Sequence, residues 1–514
     1  MKTIKKLIGL LFHRVVLVGL AIAVQLALLI LMMVKFQEYF VYFYAFCTVL
    51  SLAVVLLIVN GRSNPGYKIA WIIPVLLVPV FGGLFYLIFG GKRLRASTKR
   101  KMRRVEREMR ASLPARADTI AEIRQENEEA ANQARYIQDY AYCPVYSNTF
   151  TEYLPLGEVK FARMQEELKK ARHYIFLEYF IVQSGVMWDT ILEILVQKVT
   201  EGVEVRMIYD DMGCIMTLPA HYDRRLEELG IRCCVFNPFI PVLSSRLNNR
   251  DHRKICVIDG HTGFTGGINL ADEYINAYEK HGHWKDSALL LKGEAVWNLT
   301  VMFLSMWDYI KGIDEDVALY RPTVHQPMPQ EPNGFVQPYA DSPLDDETVG
   351  DIVYFNLINK ARRYMYITTP YLIPDNEMVT ALSVAAKSGV DVRIITPHVP
   401  DKWYVHAVTR AYYEILLEAG VRIYEYTPGF IHAKNFVADD LYATVGTVNL
   451  DYRSLYLHFE CGVWLFKTDS VAQVKADFLS TLEVCQEVTL EDCRGVKWYR
   501  KLGRAVLRVF APLM

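Results

Sequence analysis

The sequence predicts an α/β protein: two pseudo-twofold-related α/β/α layered domains with an N-terminal helical membrane segment. Three observations predict it. Uncharged apolar runs fill much of residues 1–90, the later chain repeats itself, and strand-like and helix-like patterns alternate within each copy. A length of 514 residues leaves room for two or three sizeable cores.

The membrane segment comes first. Val15–Val34 is broken only by Gln25, and Tyr39–Val59 is free of charge. Either run, as a helix, spans a hydrocarbon core of about 30 Å. The first is too long for a signal-peptide core, lacks a small-residue cleavage site and is followed at once by another span. A third run, Ile69–Phe89, holds Pro74, Pro79 and Gly82-Gly83, which weaken a straight helix. Lys2, Lys5, Lys6 and Arg14 place the N-terminus in the cytoplasm, and ten basic residues in 92–110 belong there too. Two crossings satisfy both clusters. Residues 69–89 are therefore expected as a broken, re-entrant or interface-lying element, with a full third span as the alternative. The catalytic domains then lie on the cytoplasmic side of a multi-pass cell-membrane protein.

Net charge is zero overall, but residues 1–110 carry 17 Lys/Arg against Glu38, Glu106 and Glu108, a net of +14. A basic membrane-proximal end on an acidic body fits anionic lipid as partner rather than nucleic acid. Nine scattered cysteines, without a CxxC pair or zinc-like spacing, read as free thiols in a reducing compartment.

Beyond the membrane segment (1–110), a connecting helix is expected over 111–142. The repeat follows, with domains expected at 143–320 and 347–490. Ala171-Arg172-His173-Tyr174-Ile175-Phe176 answers to Ala361-Arg362-Arg363-Tyr364-Met365-Tyr366, and Gly202-Val203-Glu204-Val205-Arg206 to Gly389-Val390-Asp391-Val392-Arg393. Each copy reads as strand, helix, strand, helix, strand, which implies a largely buried sheet. Residues 321–346 hold six prolines, which exclude a helix or a central strand, and read as the linker. Two copies of one fold imply a shared site where equivalent surfaces meet. Residues 491–514 read as a basic amphipathic helix, with Trp498, Leu502, Ala505, Val506 and Val509 on one face, and interfacial placement is expected.

The chemistry sits inside each copy. His252-x-Lys254 with Asp259 is followed by Gly266-Gly267-Ile-Asn269, and His432-x-Lys434 with Asp439 by Gly446-Thr447-Val-Asn449. From His to Asn the offset is 17 residues both times. On a strand, His and Lys two apart share one face, so together they can hold a phosphate while one attacks it. One such match arises by chance in a chain this long with odds of about a few per cent. Two in register do not.

In these residues the chain resembles the phospholipase D superfamily, whose signature is this HKD motif in duplicate, and the resemblance covers residues 140–490. It narrows to the bacterial cardiolipin synthases with Asn64-Pro65, Lys68, Ala70-Trp71, Pro79, Gly82, Tyr86-Leu87 and Phe89-Gly90. Asn449-Leu450-Asp451, Arg453-Ser454 and Phe459-Glu460 extend it in the second half. The resemblance implies phospholipase D-like domains and a metal-free, cofactor-free phosphatidyl transfer through a phosphohistidine. One imidazole attacks phosphorus. The other protonates the leaving alkoxide and then deprotonates the incoming alcohol. Lys254 and Lys434, helped by Asn269 and Asn449, neutralise the phosphoryl oxygens. The residues leave open which histidine attacks; the resemblance assigns attack to His252 and acid/base work to His432. Asp286 and Glu460, 34 and 28 residues beyond the histidine of their half, resemble the family's histidine-orienting acids. Asp259 and Asp439 complete the motifs and lead into turns, where support of the fold is the expected role.

Weaker signals have bland readings. Tyr209-Asp210-Asp211 reads as a turn after a strand rather than a metal site, and Ser454 has no base spaced for it. Trp284 and Tyr371 are candidates for a substrate groove, against core packing. The implied reaction joins two phosphatidylglycerols into cardiolipin and releases glycerol. The alternatives are a membrane phospholipase D or phosphatidyltransferase using another head-group alcohol, and, in a different class, a non-catalytic lipid-binding scaffold. Oligomeric state is not legible.

Overall fold

Both copies of the repeat form the same layered unit. A computed structural model describes residues 40–61, 63–90, 96–239, 249–322, 328–345 and 347–513, with a few isolated residues before 40. Most of the span expected at 15–34 and the cluster Lys92, Arg93 and Arg95 lie outside the described residues. The chain divides into two compact units. One is Met1–Leu94, Asn237–Asn249 and Val509–Met514; the other is Arg95–Phe236 and Arg250–Arg508.

In the smaller unit, helix Phe40–Asn60 packs with Pro65–Leu77 and Pro79–Phe89. The chain breaks between the last two at Val78, where Pro79 cannot donate to a continuing helix. Val54, Ile58 and Val75 form a small core with Trp71 and Tyr86. A Cβ at Gly82 would lie 2.4 Å from the Val75 backbone, so only glycine permits this approach. Leu52, Leu56, Leu57 and Val59 are exposed on the first helix. Among the described residues, no helix is long and apolar enough to cross a membrane.

The larger unit carries both repeats. In the first, the strands are β1 (Thr149–Leu154), β2 (Tyr174–Tyr179), β3 (Glu204–Asp210), β4 (Arg232–Phe236), β5 (Arg250–Asp251), β6 (Ile255–Ile258), β7 (Thr262–Gly266), β8 (His283–Lys285) and β9 (Ala288–Gly293). In the second they are β10 (Phe335–Asp341), β11 (Tyr364–Thr368), β12 (Asp391–Pro397), β13 (Arg422–Tyr426), β14 (Gly429–Ile431), β15 (Asn435–Ala438), β16 (Tyr442–Gly446), β17 (His458–Phe466) and β18 (Cys485–Val488). The first sheet runs β1-β9-β7-β6-β2-β3-β4, and the second β10-β17-β16-β15-β11-β12-β13-β18. In each, a parallel trio carries on into antiparallel strands that include the HKD motif.

Strand alternation makes the layers. On β2, Ile175, Leu177 and Tyr179 join a core with Met164 and Leu168 of helix Gly157–Leu168 and with Trp188, Ile191 and Leu195 of helix Val186–Thr200. From the opposite face Phe176 stacks on Phe303 of helix Val296–Lys311, ring centroids 4.6 Å apart. The second sheet is covered likewise: Tyr366 stacks on Phe478 and Phe436 on Tyr354.

Three features differ from the sequence reading. The single connecting helix expected over 111–142 is two helices, Ala117–Glu126 and Glu128–Tyr140. Asn127 is extended between them, and its side chain caps the second through the Ala130 N–H at 2.8 Å. The proline-rich linker 321–346 contains β10, an edge strand in which Pro338 pairs with Val463. An edge strand leaves one side of its backbone free of the ladder, so proline's missing N–H is tolerated there. The terminal helix is confined to Trp498–Phe510, after a short helix Leu490–Arg494. All nine cysteines are free.

The motif aspartates anchor each sheet. Asp259 (φ +50°) accepts the backbone N–H groups of Arg172, His173 and Tyr174 at 2.7–2.9 Å. Asp439 (φ +58°) accepts those of Arg362, Arg363 and Tyr364 at 2.6–3.0 Å. Asp259→Ala removes three charge-assisted bonds and is expected to cost about 3 kcal/mol, lowering the thermal midpoint by several degrees. Asp259→Asn keeps an acceptor and tolerates the left-handed backbone, so its midpoint should fall by less.

Candidate active site

The short strands leading into the two motif histidines are exchanged between halves. β5 runs parallel to the start of β17, pairing Arg250 with His458 and Asp251 with Phe459, and the His252 N–H donates to the Phe459 carbonyl at 2.9 Å. β14 runs parallel to β8, pairing Phe430 with Trp284 and Ile431 with Lys285, and the His432 N–H donates to the Lys285 carbonyl at 2.7 Å. Each histidine therefore sits beside the acid that follows the residue whose carbonyl it bonds, Glu460 after Phe459 and Asp286 after Lys285. His252 Nδ1 lies 3.0 Å from both Glu460 carboxylate oxygens, and His432 Nδ1 2.6 Å from Asp286 Oδ2.

That crossing sets the tautomers. A carboxylate only accepts, so each Nδ1 carries hydrogen and each Nε2 keeps its lone pair. The carboxylates are themselves fixed. Thr447 donates its hydroxyl to Glu460 Oε2, and the Ser287 N–H donates to Asp286 Oδ1 at 2.7 Å. Gly267, the counterpart of Thr447, is required by the shorter acid: a Cβ there would meet Asp286 Oδ1 at 2.1 Å.

Burial governs the charges. Both histidines are held well below the usual imidazole value, first by desolvation and then by Lys254 and Lys434. Desolvation also lowers Lys254 to about 8 and Lys434 to about 7. Asp286 is pushed up to about 6, again chiefly by burial. Each lysine Nζ donates to the carbonyl of its motif histidine, and Lys434 Nζ lies 2.8 Å from His432 Nδ1. The site brings together two neutral nucleophilic imidazoles and two readily neutralised ammonium groups, a charge pattern suited to an anion.

The asparagines support this frame. Asn269 accepts the Ile181 N–H at 3.0 Å and donates to the Tyr274 hydroxyl at 2.7 Å; Asn449 donates to Ser454 Oγ at 3.0 Å. Asp259 and Asp439 stand at the far ends of the motif strands, on the backbone bonds described above. Trp284 is buried against His432, centroids 5.5 Å apart, while Tyr371 donates to Asp401 at 2.6 Å. Asp210 caps the short helix Asp211–Cys214 and pairs with Arg250 at 3.4 Å.

Sequence reasoning missed several members. Arg253, on the strand face opposite His252 and Lys254, bonds Glu178 and Asp251. Its signal was a charged residue inside an otherwise buried motif. His458, two residues before Glu460, lies 5.5 Å from the His252 ring, and burial pushes it down to about 4. Among the described residues two groups bring metal-type donors close together: His252, His458 and Glu460, and Glu108, Asp308 and Asp314.

Residues 164–307 and 354–482 match the family described as "Cardiolipin synthase, PLD-like domain". The chain belongs to the cardiolipin synthase family of phospholipase D-like proteins. Residues 49–91 match "Phospholipase_D-nuclease N-terminal". A cardiolipin synthase of Halalkalibacterium halodurans is 35% identical over 478 residues, covering 91% of this chain and 92% of that one. Cardiolipin synthase 2 of Bacillus anthracis is 34% identical, covering 88% of each. A Streptococcus mutans protein is 45% identical over 90% of this chain and 99% of its own. The phosphatidylserine synthase structure of Haemophilus influenzae shares the fold with a TM-score of 0.55 at 15% identity, covering 74% of this chain and 97% of that one. The family match thus covers the parallel trio of each sheet and the crossed histidine site.

The lowered lysine pKa values fix a direction for stability. Between about 7 and the ordinary 10.5, the unfolded chain holds the Lys434 proton and the folded chain does not. Stability therefore rises with pH across that window, and the burial penalty is fully present below it. From pH 7 to 9 the thermal midpoint of the wild type should gain more than that of Lys434→Met. The difference corresponds to about 1–2 kcal/mol.

Proposed function

We propose that this member of the family is a cardiolipin synthase, a membrane phosphatidyltransferase that joins two phosphatidylglycerols into cardiolipin and releases glycerol. The observation that carries the reading is the pair of buried imidazoles. Each is held at Nδ1 by a carboxylate from the other half, which leaves both Nε2 atoms for one phosphorus.

His252 Nε2 attacks the phosphodiester. A P–N bond forms while the P–O bond to the glycerol head group breaks, and Glu460 offsets the positive charge gained by the His252 ring. His432, protonated once the bound anion offsets Lys254 and Lys434, passes its Nε2 proton to the departing glycerol oxygen. As a neutral base it then takes the proton from a terminal hydroxyl of the second phosphatidylglycerol. That oxygen attacks phosphorus, the P–N bond breaks, and His252 is restored. Lys254 and Lys434 face the phosphoryl oxygens, while Asn269, Asn449, Asp259 and Asp439 keep the frame. Transfer must outcompete water at about 55 M, which a desolvated site favours.

Membrane placement belongs to the same proposal. This placement rests on the apolar runs of the sequence, since no described helix is long and apolar enough to cross: 15–34 and 39–59 are proposed as the crossings, 69–89 as a broken or re-entrant element, and the catalytic halves as facing the cytoplasm. The terminal helix supports an interfacial contact with anionic lipid: Trp498, Leu502 and Val506 are exposed one turn apart, amid Arg500, Lys501, Arg504 and Arg508.

Labelled phosphatidylglycerol in vesicles, given to the full-length protein, tests this. Labelled cardiolipin and free glycerol are expected, with His252→Ala and His432→Ala each losing about 10³-fold or more. His432→Ala should also retain label on His252 in an alkaline quench. Phosphatidic acid as the product would make the protein a hydrolase, and no turnover with any head group would sink the enzymatic reading.

A further inference from the structure

The pseudo-twofold is broken beside one histidine. Two residues before Asp286 stands Trp284, whose ring packs on His432 with centroids 5.5 Å apart. Two residues before Glu460 stands His458, at the same centroid separation of 5.5 Å from His252. Packing alone asks for an aromatic ring there, and Trp284 answers it. An imidazole adds two ring nitrogens, and in His458 neither has a hydrogen-bond partner among the described residues although the side chain is only 10% exposed. Buried polar atoms of this kind call for a partner. His458 Nδ1 points toward Glu460 Oε1 at 3.7 Å, beyond hydrogen-bond reach.

We propose that His252 Nδ1, His458 and Glu460 form a binding site for a zinc-like divalent transition-metal ion, which shuts off the enzyme when occupied. The donor atoms lie within 4.8 Å of one another. Tetrahedral zinc with bonds of about 2.0–2.1 Å needs donor separations of about 3.3 Å. The 3.0 and 3.7 Å separations found here bracket that value. Two imidazoles and one carboxylate are a borderline donor set suited to zinc or cobalt and poorly suited to magnesium or calcium. Thr447, bonded to Glu460 Oε2, would hold the carboxylate for the ion as it does for the histidine. Lys254 and Lys434 oppose a cation electrostatically, so binding in the micromolar range is expected rather than the much tighter binding of structural zinc.

Occupancy shifts the His252 ring proton from Nδ1 to Nε2, so the imidazole stays neutral and Nε2 loses the lone pair that attacks phosphorus. The ion then draws density from the ring and takes the carboxylate that would balance a phosphohistidine. His252 Nε2 is left a poor nucleophile. The other half offers no equivalent, because an indole N–H has no lone pair to give. Shut-off rests on His252 acting as nucleophile; the ion site itself does not.

The test uses the full chain in detergent micelles. Cobalt titrated into the wild type should give visible d–d absorption that His458→Trp, the ring of the other half, does not. His458→Asn serves if the tryptophan variant fails to fold. In the vesicle assay zinc should inhibit the wild type at micromolar concentration, with the half-inhibiting concentration at least tenfold higher in the His458 variant. Cobalt spectra absent from the wild type, or unchanged in both variants, would overturn the site. Cobalt binding that depends on His458, with zinc equally inhibitory in wild type and variant, would overturn the shut-off alone. Should the protein lack turnover altogether, the cobalt spectra still decide the site.

Discussion

The crossed pairing of each motif histidine with a carboxylate from the other half is the constraint on which the rest of the structure depends. An imidazole works as nucleophile or base only if its second nitrogen is held, and a buried carboxylate is tolerated only if it is paired. Here one contact meets both needs, at 3.0 Å for His252 with Glu460 and 2.6 Å for His432 with Asp286. Two short parallel strand pairs deliver it, so neither half is complete alone. The β5–β17 and β14–β8 pairs and the helices that cover each sheet keep these seams in register.

Around the seam the protein accepts an electrostatic cost. Both histidines, both lysines and both acids are nearly buried, and desolvation drives the shifts of the histidines, the lysines and Asp286 more than any single neighbour does. Burial of this kind destabilises the site's own ammonium groups, which makes it receptive to an anion. The triple backbone bonds of Asp259 and Asp439 hold the ends of the motif strands, far enough from the chemistry that their charge serves only geometry. In the proposed reaction the motif divides its labour: His and Lys act on the ligand, while Asp fixes the strand that carries them.

Much of this was legible in the chain. The duplicated His-x-Lys with Asn 17 residues on marked the candidate site, and alternation gave the layers. Other features were hidden because they depend on partners distant in sequence. Pro338 looked like a strand breaker, yet an edge position lets β10 pass through it. Asn127 divides a charge-rich stretch that reads as one helix, because its cap becomes visible only once the backbone is extended there. Asn269 and Asn449 were expected to face phosphate, and their amides engage Tyr274 and Ser454 within the protein.

By itself the sequence determined the number of repeats, the strands that carry the chemistry and the identity of the histidines, lysines and acids. Those follow from local periodicity and from residue types that only certain reactions use. The tertiary structure decided the partnerships. Asp286 follows His252 in the chain but serves His432, and Glu460 follows His432 but serves His252. It also placed His458 where the other half puts Trp284, breaking a symmetry the motifs alone present as complete. Spacing along a chain fixes which face of a strand a side chain occupies. Which strand lies beside it is set by packing between halves, and no local pattern encodes that.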